Sequence, residues 1–267
     1  MSVREPPARI AMGAGTQVPR SIAPEWLDQL AGDDPRAIRS RRDLRRINAL
    51  MLNRRFIARE LRRSFATRPL RTIAEIGAGD GSLMLKVARQ LAPHRHTVEF
   101  ALMDQQDLVS AGTHAQFASL GWRAQAVTGD VFEMLAQRAE PMFDVVVANL
   151  FLHHFDAAAL RRLLALVAQR TRVLIACEPR RSAGALFGSR LLGLIGCNDV
   201  SRHDAVVSVQ AGFNGQELAA HWPAGAGWTL HECAYGWFSH GFVAIRADGK
   251  AAGPAGSPAA ADKVGRP

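Results

Sequence analysis

The sequence predicts an α/β fold, a largely parallel sheet with helices on both faces, and three observations carry that expectation. Five apolar strand-like runs alternate with helix-length segments between residues 71 and 178. A glycine-rich turn, Gly77-Ala78-Gly79-Asp80-Gly81, directly follows the first run. The chain has 267 residues, 48% of them hydrophobic and 21% charged, enough for one large core with a small appended cap. Strands separated by helices of this length need crossover connections, and those give parallel neighbours.

In chain order, residues 1–35 are rich in Pro, Gly and Ala and read as a flexible leader ending near Trp26, Leu27 and Leu30. Residues 36–70 read as a basic helical cap. Leu44, Ile47, Met51, Ile57, Leu61 and Phe65 recur at near-helical spacing, and Pro69 closes the segment. Residues 71–247 carry the main domain. Its strands are expected at 72–76, 98–103, 124–127, 143–148 and 173–177, with helices at 82–91, 108–120 and 156–169. Residues 182–225 read as a cap insertion with a helix near 183–194. Ser201-Arg202-His203-Asp204 and Asn214-Gly215-Gln216-Glu217 each have capping-box form. Two late strands are expected at 229–234 and 242–246, and the Gly/Ala/Pro/Ser tail 248–267 reads as disordered.

Composition removes several functional classes. Cys177, Cys197 and Cys233 form no C-x-x-C pair, which speaks against a disulfide scaffold and a structural zinc; no metal is expected, and the compartment reads as a reducing cytoplasm. There is no run of 18 apolar residues, and the first residues contain Arg and Pro where a signal core would lie. The net charge of +9 suggests nucleic acid at first sight, but it is local. Thirteen arginines face two acids between Arg36 and Arg71, and the rest of the chain is slightly acidic. The basic segment reads as a solvated helix face, with an acidic partner or a membrane surface as the sharper alternatives.

The glycine turn lets a ligand approach bare backbone at a helix start. It departs from the dinucleotide pattern G-x-G-x-x-G, because Gly81 comes one residue early and Ser82 stands in the third glycine's place. Glu75 precedes the turn and would repel a pyrophosphate. Asp104 ends the second strand, where an acid can accept from both ribose hydroxyls of a nucleoside. Asp130 follows the third strand and Asn149-Leu150 ends the fourth. Acids gathered at one sheet edge suit a nucleoside carrying an ammonium or sulfonium.

Taken together, these motifs resemble the class I S-adenosylmethionine-dependent methyltransferases, in their small-molecule branch acting on aromatic or polyketide-type acceptors. The likeness covers residues 71–178 and extends more loosely to 246. It implies a Rossmann-like, seven-stranded, mostly parallel sheet with a late antiparallel hairpin. It also implies S-adenosyl-L-methionine as cofactor. Glu75, Gly77, Ala78 and Gly79 would cradle its methionine part, Asp104 with Gln105 its ribose, and Asp130 with Val131 its adenine. The string from Phe143 through Asn149 and Leu150 to His153-His154-Phe155 matches the fourth-strand motif. Asp144, at the start of that strand, reads as structural.

Methyl transfer from a sulfonium needs alignment and a dry site, and a neutral hydroxyl acceptor must also lose a proton. His154, His203 and His240 are the candidate bases, and Phe151, Phe187, Phe213 and Trp237 the candidate apolar walls. The expected reaction is O-methylation of a phenol- or enol-type small molecule, as in secondary metabolism. The alternatives are C-methylation of a quinol, or RNA methylation using the Arg-rich helices. Asn149-Leu150-Phe151-Leu152 is not the Asn/Asp-Pro-Pro-Tyr/Phe of base-amine methylation, and Tyr235 is the one tyrosine in the chain. Both points argue against a nucleic-acid partner. A nicotinamide dehydrogenase and a non-enzymatic binding protein are further rivals. The oligomeric state is not legible.

Overall fold

The computed structural model describes residues 19–91, 97–137, 143–225 and 227–247. The N-terminal 18 residues and the tail 248–267 expected to be disordered lie outside the described residues.

Seven strands form one sheet: β1 (Thr72–Ile76), β2 (Val98–Asp104), β3 (Trp122–Thr128), β4 (Phe143–Asn149), β5 (Thr171–Pro179), β6 (Trp228–Tyr235) and β7 (Ser239–Arg246). Their order is β3-β2-β1-β4-β5-β7-β6. β1 to β5 are parallel, and β7 runs antiparallel between β5 and β6. This is the Rossmann-like arrangement expected. The chain moves outward from β1 to β3, then restarts at β4 on the other side of β1. That switch point opens a crevice at the carboxyl ends of β1 and β4.

The central strands are buried on both faces, as strands covered by helices must be. Ile73, Val145 and Val147 point into one core, and Ala74, Ile76, Val146 and Ala148 into the other. The first core lies under α2 (Asn53–Ser64), α3 (Ser82–Leu91) and α4 (Ala111–Ser119), where Phe117 stacks on Trp122 and Phe100 meets both edge-on. The second lies under α5 (Val131–Gln137), α6 (Ala157–Arg170) and α9 (Glu217–His221). Asp144 Oδ2 accepts from Arg71 N and Thr72 N, joining β4 to the approach of β1, the structural role its position suggested.

The basic segment is two helices of different duty. α1 (Pro35–Leu50) and α2 are broken at Leu52, whose φ of 62° is left-handed. α1 lies over the crevice. α2 belongs to the sheet's helical layer rather than to a cap, with Phe56 so close over Gly241 that a Cβ there would lie 2.4 Å from the ring. The 182–225 segment divides likewise. α7 (Ala183–Arg190) and α8 (Asp199–Ala211) border the carboxyl edge of the sheet, while Leu218 of α9 and Trp222 just after it enter the second core. Ser201 does not cap α8 as its local pattern suggested. Asn198, three residues earlier, accepts from Ser201 N at 2.8 Å, so Ser201 lies in the first turn.

Residues 19–34, expected as part of a flexible leader, are strapped across the carboxyl edge. Arg20 donates to Ala211 O, Phe155 O and His153 O. Trp26 N and Leu27 N donate to the buried carboxylate of Asp204 at 2.8 and 2.9 Å.

Candidate functional site

A cleft of about 350 Å³ opens at the carboxyl ends of β1, β2 and β4. Glu75, Gly77, Ala78 and Gly79 line it from the first turn, and Asp104 and Gln105 from the end of β2. Val131 enters from the start of α5, and Asn149 and Leu150 from the end of β4. Gly77 N and Ala78 N donate to Met103 O, and Gly79 N donates to Asp104 Oδ2 at 2.8 Å. Asp104 Oδ1 accepts from Gln106 N at 3.0 Å, which fixes the carboxylate while leaving acceptor capacity on both oxygens. The side chain of Asn149 is held by Asn48 and Asn53 at 3.1 and 2.8 Å, which ties α1 and α2 to the end of β4. Leu150 adopts a left-handed φ of 52°, a conformation that costs a branched residue energy and recurs at functional sites.

Asp130 is the exception among the expected cofactor residues. Its neighbours Gly129 and Val131 line the cleft, but its own Oδ1 accepts from Phe132 N and Glu133 N. The carboxylate caps α5 and lies outside the cleft lining. Glu75 is the reverse case: it is buried, and its Oε2 has no hydrogen-bond partner. Burial, then the nearby Asp80 and Asp104 carboxylates, push its pKa well above the usual range. A buried unpartnered acid beside two others calls for a cation. A Cβ on Gly79 would meet nothing within 4 Å, so that turn presents an open face to the cleft. These features fit the ammonium- and sulfonium-bearing nucleoside that the motifs imply.

The histidines separate clearly. His154 lines the cleft, with Nδ1 3.4 Å from Asp28 Oδ2. Burial, then the charge of His153, lower its pKa to about 4, so its imidazole is neutral at physiological pH. His153 is buried with Nδ1 2.7 Å from Glu178 Oε2 and Nε2 3.2 Å from Glu25 Oε1. Burial favours the neutral ring, but the hydrogen bonds it donates to two carboxylates outweigh it and raise the pKa to about 9. Glu25 is held below the usual range: burial opposes its charge, and the His153 hydrogen bond and charge prevail. Glu25, His153 and His154 bring three potential ligand atoms within 4.8 Å, yet His153 already spends both ring nitrogens on carboxylates.

His203 and His240 are not brought to the cleft. His203 stacks on Trp26 at 3.9 Å and shares a 2.9 Å hydrogen bond with Asp204 Oδ1, on the outer side of α8. His240 is buried on β7, where Nε2 meets Glu232 Oε1 at 2.6 Å. Glu232 in turn accepts from Leu218 N and Ala219 N at the start of α9, so this pair ties that helix to the hairpin.

Residues 73–173 match the family model described as a methyltransferase domain. Over those residues the chain carries a methyltransferase domain. Solved structures show the same fold. An O-methyltransferase family protein from Burkholderia thailandensis matches with a TM-score of 0.55 and 19% identity, over 82% of this chain and 62% of that one. The plantazolicin methyltransferase BpumL, solved in complex with SAH, gives 0.57 and 13%, over 82% and 94%. The mitomycin 7-O-methyltransferase MmcR gives 0.52 and 20%, over 83% and 60%. This chain thus spans about 60% of the first and third of these. No curated protein sequence matches it.

The protein has a second, mostly apolar cavity of about 140 Å³ against the cleft. The two share Glu25, Leu27, Leu44, Leu150 and Ser208. Of the expected apolar walls, Phe151 lines the cleft, whereas Phe213 is core and Phe187 and Trp237 are exposed. Glu25 was missed. It lies in an aperiodic segment, and its partners His153 and Ser208 are 128 and 183 residues away, so no local signal marks it.

Proposed function

We propose that this methyltransferase methylates a hydroxyl oxygen of a small aromatic or polyketide-type molecule. The reading rests on the junction between cleft and apolar cavity, where Glu25 and Ser208 are the polar members of the shared wall. When bound, S-adenosylmethionine supplies an activated methyl group. Glu75 would balance its ammonium, Asp104 would accept from its ribose, and Arg45, fixed 2.7 Å from Asp80, would face its carboxylate. The strap and α8 shut water from the junction, and the apolar cavity holds the acceptor's ring. A hydroxyl placed there meets the Glu25 carboxylate, whose bonds to Ser208 and His153 fix its orientation. Glu25 receives the proton as the oxygen–methyl bond forms, and the neutral His154 beside it is the alternate acceptor.

The test is tritiated-methyl transfer to a panel of phenols, pyrones and quinols, followed by Glu25→Gln. Loss of a general base costs about 10²–10⁴-fold in kcat, with S-adenosylhomocysteine affinity retained. Full activity in Glu25→Gln removes the assigned role, and labelled product bearing a new carbon–methyl bond removes the O-methylation reading.

A further inference from the structure

The apolar cavity reaches the surface at an unusual place. Leu50, Gly188, Leu192 and Phe238 line it, and beside them in the chain stand some of the most exposed large apolar residues of the protein. Leu194 is 83% exposed, Trp237 81% and Phe187 65%, and Leu50, Leu191 and Ile195 are also exposed. Three contacts bring these segments together. Ser239 Oγ donates to Met51 O, placing the end of α1 against the β6–β7 turn. Gly188 lies so close to Phe238 that a Cβ would come within 2.7 Å of the ring. Asn198 N donates to Asp43 Oδ2, bringing the 191–198 turn onto α1. The result is an apolar rim around a cavity mouth, drawn from three separate parts of the chain. Exposed patches of this kind mark contact sites rather than ordinary surface.

The rim is flanked by cations. Arg39, Arg42 and Arg46 lie exposed along the α1 face that leads to Leu50, at spacings of three, four and four. Arg190 is exposed beside Leu191, and the Arg202 guanidinium lies against Gly193, 3.7 Å from the exposed Asp199. Of the two acids in α1 and α2, Asp43 and Glu60, both are buried, so the outer faces of these helices are basic. Exposed Trp, Phe and Leu within a basic surround match an interface that inserts apolar side chains below anionic headgroups.

We propose that this rim docks on an anionic lipid surface, and that the acceptor enters the apolar cavity from it with a hydrocarbon tail. The tail follows from the site's shape. A ring held at the Glu25 junction points any long substituent through a channel walled by Leu44, Ile47, Val209 and Phe238 toward the rim. A free polar acceptor would need none of these walls. This inference rests on the small-molecule reading above and goes beyond it in naming an amphipathic substrate class and its source.

The experiment uses the full chain and flotation with vesicles, either pure phosphatidylcholine or phosphatidylcholine with about a third phosphatidylglycerol. Binding is expected to the anionic vesicles, weakened at least tenfold by Leu194→Glu with Trp237→Glu and by raised salt. Both residues are exposed, so the double variant keeps its fold and its S-adenosylhomocysteine affinity. In the transfer assay, kcat/KM for 3-alkylphenols should rise about fourfold per added methylene until the cavity is filled, as ~0.8 kcal/mol per buried CH₂ requires. Absence of vesicle binding, or binding indifferent to the double variant, overturns the proposal. So does concentration-dependent self-association through the rim without vesicle binding. Failure to bind S-adenosylhomocysteine would instead strike the methyltransferase reading, which keeps the two failures apart.

Discussion

Glu178 and His153 form one buried unit: Glu178 Oε2 lies 2.7 Å from His153 Nδ1 while its Oε1 accepts from Phe151 N and Leu152 N. One carboxylate at the end of β5 thus orients both the imidazole and the backbone turn that follows β4. Glu25 closes the other side of the ring from the N-terminal strap. The charge of two carboxylates is shared with one imidazolium, and that arrangement makes the strap's position depend on protonation.

The stability profile should show it. An unfolded histidine titrates near 6.5, whereas His153 is raised to about 9 in the fold. The stabilisation is therefore complete below about pH 6.5 and is lost as pH rises through 9. Urea midpoints measured across this window should fall, and His153→Gln should flatten the decline. Glu178→Ala, which strips the partner from a buried cation and two backbone donors, should cost about 3–5 kcal/mol.

Glu75 should announce the ligand by releasing a proton. In the free protein burial and two neighbouring acids hold it protonated above the ordinary range. A bound ammonium favours the carboxylate, so binding becomes tighter as pH rises toward the raised pKa. Titration with S-adenosylhomocysteine in buffers of differing ionisation enthalpy should report up to about one proton released at pH values between the ordinary carboxylate range and the raised pKa. Glu75→Gln should abolish that release and weaken binding about 10–100-fold, the loss of one buried charge contact. Its melting temperature should hold or rise, because an unpartnered buried acid is removed.

The strands and the cleft were legible because they depend on local chemistry. Apolar runs of strand length, a glycine turn and strand-end acids are contiguous in the chain, and each strand end delivers its residues to the same edge. Asp130 shows the limit: the position is right, but the carboxylate serves the start of α5, a helix hidden behind the motif that drew attention to it. Ser201 shows another, since a capping pattern is found wherever its letters fall and Asn198 took the role. His203 and His240 have residue types suited to catalysis, yet side-chain direction comes from tertiary packing. Glu25 is the largest omission, because its meaning lies wholly in contacts more than a hundred residues away.

Two glycines of the first turn should fail differently. Gly77 has φ 70°, and a Cβ would come 2.4 Å from the Phe151 ring, so Gly77→Ala must move a cleft wall. It should lose stability by about 1–3 kcal/mol as well as binding. Gly79 has φ 54° and open space, so Gly79→Ala should cost only about 1 kcal/mol in stability while its methyl intrudes on the ligand. Comparing urea midpoints with S-adenosylhomocysteine affinity separates the two. Equal stability losses would show that the turn is not open as described.

Asp204 should govern closure of the site from the wall of the apolar cavity. Its two oxygens accept from Trp26 N and Leu27 N, and the buried residue lines the apolar cavity, where it holds the cleft-lining Leu27 in place. In Asp204→Ala the strap keeps the Arg20 contacts at one end but loses its fixing beyond Glu25. Hydrogen bonds to a charged acceptor contribute ~1.5–3 kcal/mol each, so local opening of residues 21–30 should rise at least tenfold. Amide exchange at Trp26 and Leu27 and proteolysis within the strap are the direct measurements. Water then reaches the junction and Glu25 loses its orientation, so kcat should fall about tenfold or more while S-adenosylhomocysteine affinity, set by Glu75 and Asp104, changes little. Faster exchange with undiminished kcat would mean that the strap covers the site but does not serve the chemistry.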